Sequence, residues 1–342
     1  RRGSALPSWS LPGDTRAAAP SAQASGRSCV SGASRRVAIV GPTAVGKSAL
    51  AMEVASRVSA AEIVSLDSMQ VYRRMTIGTA KATWDERRAV RHHNLDLVEP
   101  WQPYLLGDFL VSTREAEQGI ESRGGVALLV GGSGLHQRAV VDRFDPPGQW
   151  PAIRAELDAS LAAGVNLQDL WAELLASDPD AARKIEPSNP RRIVRALEVI
   201  RGSGRPFSSF GSDMAAYAPT DVALIGIDLP RAELDARIAA RVHAQLLAGW
   251  VEEVAAIESA ADDQGLAPFS ATASQAIGYS ELSAVLAGSS PLAQATAQII
   301  AKTRRFARRQ QRWFRRDPRI TWFDATNFAG ATTWLLRNLQ SS

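Results

Sequence analysis

The sequence is poor in several features that would assign a protein to a class at once. Its single cysteine, Cys29, excludes a disulfide framework and a cysteine zinc site, and fits a reducing, cytoplasmic setting. No apolar stretch is as long as a membrane span, so we expect no membrane partner. No internal repeat is present either. With 45% hydrophobic residues among 342, the chain can bury a sizeable core in one or two domains.

Acidic residues are absent from one segment near the C-terminus. The net charge of the chain is only +4, yet residues 302–316 carry eight basic side chains and no acidic one. These side chains are Lys302, Arg304, Arg305, Arg308, Arg309, Arg312, Arg315 and Arg316. A clustered basic stripe is typical of a nucleic-acid partner, although a solvated charged surface is the alternative. We expect it on a long helix at 291–315, where the arginines face outward and one apolar stripe packs. The stripe comprises Ile299, Phe306 and Trp313, which are seven apart, and Ile300, Ala307 and Phe314 beside them.

Residues 36–48 predict the element around which the chain is organised. The β-branched run at 37–40 is typical of a buried strand, and the residues from Lys47 onward are typical of a helix. The turn between them fits G-x-x-x-x-G-K-[ST] at every fixed position, in the context that a P-loop requires. Its residues are Gly41, Pro42, Thr43, Ala44, Val45, Gly46, Lys47 and Ser48. Backbone amides at such a helix N-terminus bind phosphate, Lys47 adds positive charge, and Ser48 can ligate Mg²⁺.

Two further turns are expected at the same edge of the sheet. Asp67 follows a predicted strand at 62–66, where open α/β sheets bind ligands, although a helix cap or a turn would also use an aspartate. The glycine-rich turn 131–134 carries Ser133 and follows a predicted strand; a plain strand-to-helix turn is the alternative.

The paired histidines 92–93 could ligate a metal. A loop pair that packs or caps is favoured, because no metal-ligand spacing continues from them.

The order of these elements predicts an α/β fold: a P-loop NTPase-like parallel sheet with a helical insertion domain and a helical C-terminal region. Residues 1–34, rich in Ser, Ala, Pro, Gly and Arg, predict a disordered extension, with an organelle-targeting role as the alternative. We expect the core at 35–144 and 216–326, the helical insertion at 145–215, and a tail helix at 327–342.

Together these stretches resemble the bacterial tRNA dimethylallyltransferases, also called tRNA isopentenyltransferases, of the IPP transferase family. The matching segments follow the family order across most of the chain. They are GPTAVGKS (41–48), SLDSMQVYR (65–73), IGTAKAT (77–83), HHNLDLVEP (92–100), LLVGGSGL (128–135), NPRRIVRALEV (189–199), ARIAARV (236–242), SQAIGYSEL (274–282) and TRRFARRQQRWFR (303–315). A P-loop alone would be unspecific, whereas DSMQVY, GYSE and TRRFARRQ in one chain are specific.

The resemblance implies transfer of a dimethylallyl group from dimethylallyl diphosphate to the exocyclic N6 amine of the adenine 3′ of the anticodon in tRNA. The donor's diphosphate, not ATP, would bind the P-loop. Lys47, Ser48 with Mg²⁺, and Arg241 would stabilise charge on the leaving group, with Arg237 as a secondary contact. Asp67 would accept the proton of the attacking amine, and Ser133 would line the reaction channel. We expect a monomeric, cytoplasmic enzyme.

The resemblance also implies tRNA contacts on several segments. They would comprise Asp67, Ser68, Met69, Gln70, Arg154, Arg191, Arg192, Arg195, Gln275, Gly278, Tyr279, Arg308, Arg309, Gln310, Arg312, Trp313 and Arg315. Among these, Gln310 and Trp313 would read or stack on bases, while the arginines would position phosphates. The helical insertion would hold the anticodon stem-loop from one side.

Four positions depart from the family pattern without removing a proposed catalytic group. Ser133 stands where Thr is usual, and His136 where Tyr is common. Ala82 stands where Pro is frequent, and His243 where Asp is common.

Three rival functions are a P-loop kinase of a nucleoside or small metabolite, an adenylate isopentenyltransferase, and an RNA-binding protein with a degenerate P-loop. The basic segment disfavours the first two, and the intact Lys47 disfavours the third.

Overall fold

A computed structural model describes residues 36–210 and 216–340 of the protein. The predicted extension at 1–34 lies outside the described residues, as do 211–215 of the predicted insertion and the last two residues of the predicted tail. Within the described part, no helix is both long enough and apolar enough to cross a membrane.

The described strands form one sheet in which every pairing is parallel. They are β1 (Arg36–Val40), β2 (Ala61–Ser65), β3 (His92–His93), β4 (Val126–Gly131), β5 (Ala223–Asp228) and β6 (Thr321–Asp324). Their spatial order is β3-β2-β4-β1-β5-β6, so β4 lies between β1 and β2. A parallel sheet with helical connections confirms the predicted α/β class.

Helices cover both faces of this sheet. In the described residues they are α1 (Lys47–Ala55), α2 (Trp84–Ala89), α3 (Leu106–Ser122), α4 (Gly134–Val141), α5 (Pro151–Ala162), α6 (Leu167–Ser177), α7 (Pro179–Lys184), α8 (Pro190–Ser203), α9 (Arg231–Leu247), α10 (Trp250–Asp262), α11 (Tyr279–Leu286), α12 (Leu292–Phe314) and α13 (Phe328–Gln340). Ala38 and Val40 of β1 lie in one apolar cluster with α3, α4 and α10–α12. Val37 and Ile39 lie in another, with α1, α9 and α13. Both faces of β1 are buried, which explains its uninterrupted apolar sequence.

The paired histidines form an edge strand, and the prediction of a loop there was wrong. His92 and His93 make up β3, which pairs with β2. His93 Nε2 lies 2.7 Å from Glu62 Oε2, and His92 Nδ1 lies 2.8 Å from the carbonyl oxygen of Val90. A strand of two residues is too short to show a periodic pattern, so the sequence alone does not reveal it.

The C-terminal helix α13, predicted as a tail helix at 327–342, packs against the core. Ala331, Leu335 and Leu339 are buried in the cluster that α13 shares with α1 and β1. These three residues are spaced by four, so they form one face of the helix. The sequence therefore contained the signal, because an apolar face at this spacing predicts a helix that packs.

Helices α5–α8 pack around an apolar cluster of their own, to which Leu157, Leu174 and Leu197 contribute. The last of them, α8, begins at Pro190 after Asn189, whose side-chain oxygen accepts a hydrogen bond from the backbone of the first turn. This capping, with proline in the first helical position, explains why the sequence predicts the start of α8 correctly.

Candidate active site

Three loops that carry predicted site residues leave the sheet at the carboxyl ends of neighbouring strands. The P-loop follows β1, the turn 131–134 follows β4, and Asp67 follows β2. All three open onto one cavity of about 800 Å³. The predicted site residues that line it are Thr43, Ala44, Gly46, Lys47, Ser48, Asp67, Ser68, Met69, Gln70, Ser133, Arg241, Gln275 and Arg309. This is the edge at which open parallel sheets bind ligands.

The P-loop has a backbone shape that requires glycine at its first position. Gly41 has a φ of 146°, and a Cβ there would lie 2.3 Å from the carbonyl oxygen of Ile227. Lys47 begins α1, and its Nζ donates to the carbonyl oxygens of Gly41 at 3.1 Å and Pro42 at 2.8 Å. The ammonium group therefore lies over the loop, where a phosphate chain at the helix N-terminus would meet it.

Helix α9 brings two more cations to the P-loop. Arg241 Nη2 donates to Thr43 Oγ1 at 2.6 Å. Arg237 Nη1 donates to the carbonyl oxygen of Val45 at 3.5 Å. The two arginines are four apart and share one face of α9, as the sequence predicts. Arg241 lines the cavity, and its buried Nε has no hydrogen-bond partner among the described residues, so of the two it is better placed to bind a diphosphate.

Burial changes the pKa values of two oppositely charged groups in the cavity. Desolvation lowers the pKa of Lys47 to about 7; attraction by Asp67 opposes this shift and repulsion by Arg241 adds to it. Desolvation raises the pKa of Asp67 above its ordinary value. The Met69 amide, which donates to Asp67 Oδ1 at 2.9 Å, opposes that rise, as do the two cations. A carboxylate with a raised pKa is a stronger proton acceptor, which suits a general base.

Ser133 joins the Asp67 segment to the turn after β4. Its Oγ accepts a hydrogen bond from Ser68 N at 3.3 Å and lies 3.3 Å from Ser68 Oγ. Although Ser133 directly precedes α4, its side chain makes no capping hydrogen bond to that helix. The hydroxyl therefore bonds to a neighbouring residue of the cavity wall and does not cap the helix, which argues against a plain strand-to-helix turn.

Gln310 occupies a different place from the one expected of a base-reading residue. Its side chain is only 5% exposed. Its Oε1 accepts a hydrogen bond from Thr43 N at 2.8 Å, and its Nε2 donates to the carbonyl oxygen of Gly132 at 2.7 Å. A Cβ on Gly132 would lie 2.3 Å from that Nε2, so a larger residue there would displace the Gln310 amide. Gln310 thus joins α12 to the P-loop and to the turn after β4. Base reading by Gln310 stays a prediction, which the burial of its side chain disfavours.

The face of α12 that packs coincides only in part with the predicted stripe. The buried residues are Ala295, Thr296, Ile299, Thr303, Ala307, Gln310 and Phe314. Phe306 lines the cavity instead, and Trp313 is half-buried with its ring close to Gly134. Ile299, Ala307 and Phe314 of the predicted stripe are buried as expected. The prediction missed Gln310 because it considered only apolar residues, whereas this polar side chain lies on the buried face too.

Replacing Gln310 with methionine tests its structural role. The methionine fills the same space but leaves Thr43 N and the Gly132 carbonyl without partners, so the free energy of unfolding should fall by about 1–3 kcal/mol for each group. Denaturant titration measures this decrease. The relative rates with different RNA substrates should stay the same, since the amide does not reach a base. Altered discrimination between RNAs at unchanged stability would restore the base-reading role.

Gly278 and Tyr279 are likewise buried and do not present side chains to a partner. The Tyr279 side chain is 0% exposed, and its hydroxyl donates to Glu253 Oε1 at 2.7 Å. Gly278 N donates to Glu281 Oε2 at 2.9 Å, and a Cβ on Gly278 would lie 2.2 Å from the Trp250 ring. Their contact with RNA stays a prediction, which this burial disfavours; the exposed Gln275 nearby lines the cavity.

Part of the basic charge of α12 is neutralised by neighbouring elements. Lys302 pairs with Glu281, Arg304 approaches Asp235 at 3.9 Å, and Arg315 pairs with Asp228 at 2.8 Å. Arg315 also lies over the Trp322 ring at 3.9 Å, so it is bound to the sheet edge. Within the described part of the chain, five arginines of the segment have no ion pair: Arg305, Arg308, Arg309, Arg312 and Arg316. These are the side chains that an outside anion can engage.

The predicted arginines of the insertion differ in their availability. Arg191 and Arg192 are exposed on the first turn of α8. Arg154 is paired with Asp158 across one turn of α5. Arg195 pairs with Glu198 and donates to the carbonyl oxygens of residues 147 and 148, so it holds the start of the insertion in place. Arg191 and Arg192 are therefore the better candidates for phosphate contacts.

Several cavity residues were not predicted as site residues. His136 packs edge-on against Phe109, with ring centroids 4.7 Å apart, and burial lowers its pKa to about 4. It therefore lines the cavity as a neutral ring. Gln245, also in the lining, lies one turn beyond Arg241 on the same face of α9. The four-residue spacing from Arg237 through Arg241 to Gln245 is a signal that the sequence contained.

The donor set of the cavity fits an Mg²⁺ ion that is held mainly by a phosphate chain. The described residues contain no group of three His, Cys, Asp or Glu side chains that could hold a metal ion. Ser48 is exposed at the first turn of α1 and lines the cavity beside Lys47. Mg²⁺ commonly keeps several waters and binds substrate phosphates with one or two protein oxygens, and Ser48 Oγ fits that role.

Comparison with known proteins gives a consistent result over most of the chain. A sequence model described as IPP transferase matches residues 70–317, and one described as isopentenyl transferase matches residues 35–97. The chain is 48% identical over 289 residues to a tRNA dimethylallyltransferase of Salinispora arenicola, covering 84% of this chain and 82% of the relative. It is 47% identical over 290 residues to a tRNA dimethylallyltransferase of Thermobifida fusca, covering 84% and 88%.

Solved structures agree with these matches. A tRNA isopentenylpyrophosphate transferase of Bacillus halodurans is 34% identical with a TM-score of 0.64, covering 90% of this chain and 97% of that chain. A eukaryotic dimethylallyltransferase that acts on tRNA is 22% identical with a TM-score of 0.70, covering 88% of this chain and 77% of that one. The second likeness extends the shared fold to a distant relative.

Proposed function

Because this chain belongs to the IPP transferase family, we propose that it transfers a dimethylallyl group from dimethylallyl diphosphate to the exocyclic N6 amine of an adenine in tRNA. The observation that carries the proposal is the convergence of the P-loop, Asp67 and Arg241 on one cavity beside the basic helix α12. A kinase would use the P-loop but has no need of that helix. An adenylate isopentenyltransferase would need neither the helix nor the helical insertion.

The donor half of the site binds and activates the diphosphate. The P-loop amides, Lys47 and Arg241 surround the place where the leaving group gains negative charge. Lys47 Nζ and Arg241 Nη2 already form hydrogen bonds to the loop itself, at 2.8 Å to the Pro42 carbonyl and 2.6 Å to Thr43 Oγ1. Both cations are therefore placed before the donor binds, so little reorganisation is needed as charge develops.

Mg²⁺ bound to the diphosphate would neutralise charge on its oxygens and make it a better leaving group. Ser48 Oγ is the protein oxygen that we assign to this ion, because it lies exposed beside Lys47 in the cavity. The remaining ligands would be phosphate oxygens and water, as Mg²⁺ prefers.

The acceptor half of the site moves one proton. The nitrogen of the exocyclic amine forms a bond to the allylic carbon while the bond from that carbon to the diphosphate oxygen breaks. The electron pair of the broken bond leaves with the diphosphate, and the amine proton passes to Asp67. The raised pKa of Asp67 favours this transfer. Ser133 orients the Asp67 segment through Ser68.

We further propose that the acceptor is the adenine 3′ of the anticodon. An adenine must leave its stack to enter the cavity, at a cost of a few kcal/mol that is smallest for bases already splayed out in a loop. Arg191, Arg192, Arg308 and Arg312 would position phosphates of the anticodon stem-loop. We also propose that the enzyme is a monomer, and a tRNA substrate supports action in the cytoplasm.

Incubation with labelled dimethylallyl diphosphate separates this function from its rivals. The protein is offered unmodified tRNA, AMP or ATP as acceptor in parallel reactions with Mg²⁺. We expect label in tRNA alone. Label in AMP or ATP would favour an adenylate isopentenyltransferase, consumption of ATP with phosphorylated product would favour a kinase, and tRNA binding without transfer would favour a plain RNA-binding protein.

Replacing Arg308 and Arg312 with alanine should weaken tRNA binding and change its dependence on salt. Each bound phosphate releases counterions, so the slope of log affinity against log salt should flatten by roughly 0.7 for each phosphate that is no longer bound, the single-strand value. A salt titration of tRNA affinity measures the slope. Turnover at saturating tRNA should change little, because neither residue takes part in the chemistry.

Arg57 and Arg123 provide a matched control for this double variant. Both are exposed, paired with glutamates, and placed where α1 and α3 return to the amino edge of the sheet, away from the cavity. Replacing both with alanine removes the same charge and should leave the salt slope unchanged. If the Arg308/Arg312 variant gives a line parallel to that of wild type with the same intercept, α12 is a solvated surface and does not bind phosphates.

A further inference from the structure

One wall of the cavity has no role in the reaction scheme above. Residues 78–82, in the loop between β2 and α2, line the cavity next to Gln70. The loop lacks regular secondary structure, and its position relative to the acceptor half of the site must be fixed by other contacts.

Glu253, in the first turn of α10, binds the backbone of this loop. Its Oε2 accepts hydrogen bonds from Thr76 N at 2.7 Å and Ile77 N at 2.6 Å. Its Oε1 accepts one from Gly78 N at 3.1 Å. Three successive amides thus converge on one carboxylate, in the way that backbone amides otherwise surround a bound anion. Such charge-assisted hydrogen bonds are stronger than those between neutral groups.

Gln245 binds backbone carbonyl groups of the same loop. Its Nε2 donates to the carbonyl oxygens of Ile77 at 2.6 Å and Gly78 at 3.2 Å. The loop also lies so close to α10 that a Cβ on Gly78 would be 2.2 Å from Trp250 Nε1. The corner between α9 and α10 therefore fixes both the amides and the carbonyl groups of this loop.

The loop in turn fixes Gln70, which belongs to the Asp67 segment. Gln70 Nε2 donates to the carbonyl oxygens of Thr79 at 3.1 Å and Ala80 at 3.2 Å. Gln70 Oε1 accepts from Ser65 Oγ at 2.7 Å, and that hydroxyl oxygen accepts from Asp67 N at 3.3 Å. A continuous chain of hydrogen bonds and backbone thus runs from Glu253 to the backbone of Asp67.

We propose that Glu253 is a positioning residue for the acceptor half of the reaction. By binding residues 76–78 it sets the place of Gln70, and through Gln70 and Ser65 it sets the segment that carries Asp67. The inference rests on the proposed function, because it assigns Glu253 to the half of the site that receives the adenine and its proton. The donor half is independent of it, since the P-loop is held by Arg241, Arg237 and Gln310 instead.

Glu253→Gln tests this role with little change in side-chain shape. The new NH₂ group faces backbone amides, so donor meets donor and the loop must shift. Misplacement of a reacting group by about 1 Å costs on the order of 10²-fold, so the single-turnover rate with both substrates saturating should fall by about 10- to 10²-fold. KM for dimethylallyl diphosphate should stay at its wild-type value. Glu252→Gln, which removes an exposed carboxylate one residue earlier, should leave both quantities unchanged.

A double-mutant cycle with Gln70→Met distinguishes positioning from a general loss of stability. If Glu253 acts through Gln70, the double variant should be no slower than the slower single variant, because both remove the same connection. The inference would be overturned if the rate losses of the two single variants multiplied in the double variant. It would also be overturned if Glu253→Gln changed the rate and the KM for dimethylallyl diphosphate by equal factors. If Glu253→Gln does not fold, the same cycle is run with Gln245→Met, and the same outcomes decide.

The failure of the proposed function gives a different result from the failure of this inference. Absence of label transfer to tRNA by the wild-type protein would refute the function itself. Transfer by the wild-type protein at a rate that Glu253→Gln does not alter would refute only the positioning role.

Discussion

Replacing Asp67 with asparagine should lower the single-turnover rate of dimethylallyl transfer by about 10²–10⁴-fold, the usual contribution of a general base. Asparagine keeps an oxygen for the hydrogen bond that Met69 N donates to Asp67 Oδ1 at 2.9 Å, so the loop should retain its shape. What the variant lacks is a half-buried proton acceptor whose pKa is raised by desolvation. Rapid quenching of a reaction between labelled donor and saturating tRNA measures the rate.

The affinity of the Asp67→Asn variant for tRNA should stay within a few fold of wild type, because the substitution removes no cation and no phosphate contact. Asp262→Asn is a suitable control, since it neutralises an exposed carboxylate at the end of α10, outside the cavity lining. A wild-type rate for Asp67→Asn would show that the amine loses its proton to another group or to water.

Asp67 should also determine how kcat/KM falls at acid pH. Asp67 must be ionised to accept a proton, so kcat/KM falls as the pH decreases through the pKa of its carboxyl group. Because burial raises that pKa, the fall should begin at a higher pH than for an ordinary aspartate. The residual activity of Asp67→Asn should lack this acid limb.

Replacing Lys47 with alanine should lower the transfer rate by on the order of 10²–10³-fold, the loss expected when one preorganised donor to a developing negative charge is removed. The donor diphosphate should also bind more weakly, because the ammonium group lies over the P-loop at 2.8 Å from the Pro42 carbonyl oxygen. Single-turnover rates at increasing donor concentration separate the two effects. A variant that loses donor affinity alone would show that Lys47 binds the ground state and transition state equally.

Lys47 should also produce an alkaline limb in kcat/KM for the donor. Burial lowers the pKa of its ammonium group to about 7, so the free enzyme loses this charge as the pH rises through neutrality. A bound diphosphate favours the protonated form, so the limb in kcat should lie at a higher pH than the limb in kcat/KM. Lys47→Arg keeps its charge throughout this range and should abolish the limb, whereas titration of the donor itself would persist in both proteins.

The sequence predicts the centre of the site well because two local rules apply there. The glycine and lysine spacing of residues 41–48 specifies both the strand–turn–helix geometry and its affinity for phosphate. Asp67 and Ser133 follow buried strands, and the carboxyl ends of parallel strands meet at one edge. No distant contact is needed for either conclusion.

The roles that the sequence did not predict depend on distant contacts. Gln310 bonds to Thr43 across 267 positions, and Glu253 bonds to Thr76 across 177. The spacing of apolar residues shows that α12 has a packed face, but it takes no account of polar residues, and Gln310 lies on that face as well. Tyr279 is a similar case, because its buried side chain donates a hydrogen bond to the carboxylate of Glu253 on another helix.

The most direct test of the proposed reaction is to locate the modified nucleoside. An unmodified tRNA that carries adenine 3′ of its anticodon is incubated with the protein, dimethylallyl diphosphate and Mg²⁺, then cut into oligonucleotides and analysed by mass spectrometry, with released diphosphate measured in parallel. We expect one dimethylallyl group on the N6 amine of that adenine and one diphosphate released per group transferred. A prenyl group on another nucleotide, or a phosphorylated product in place of a prenylated one, would contradict the proposed reaction.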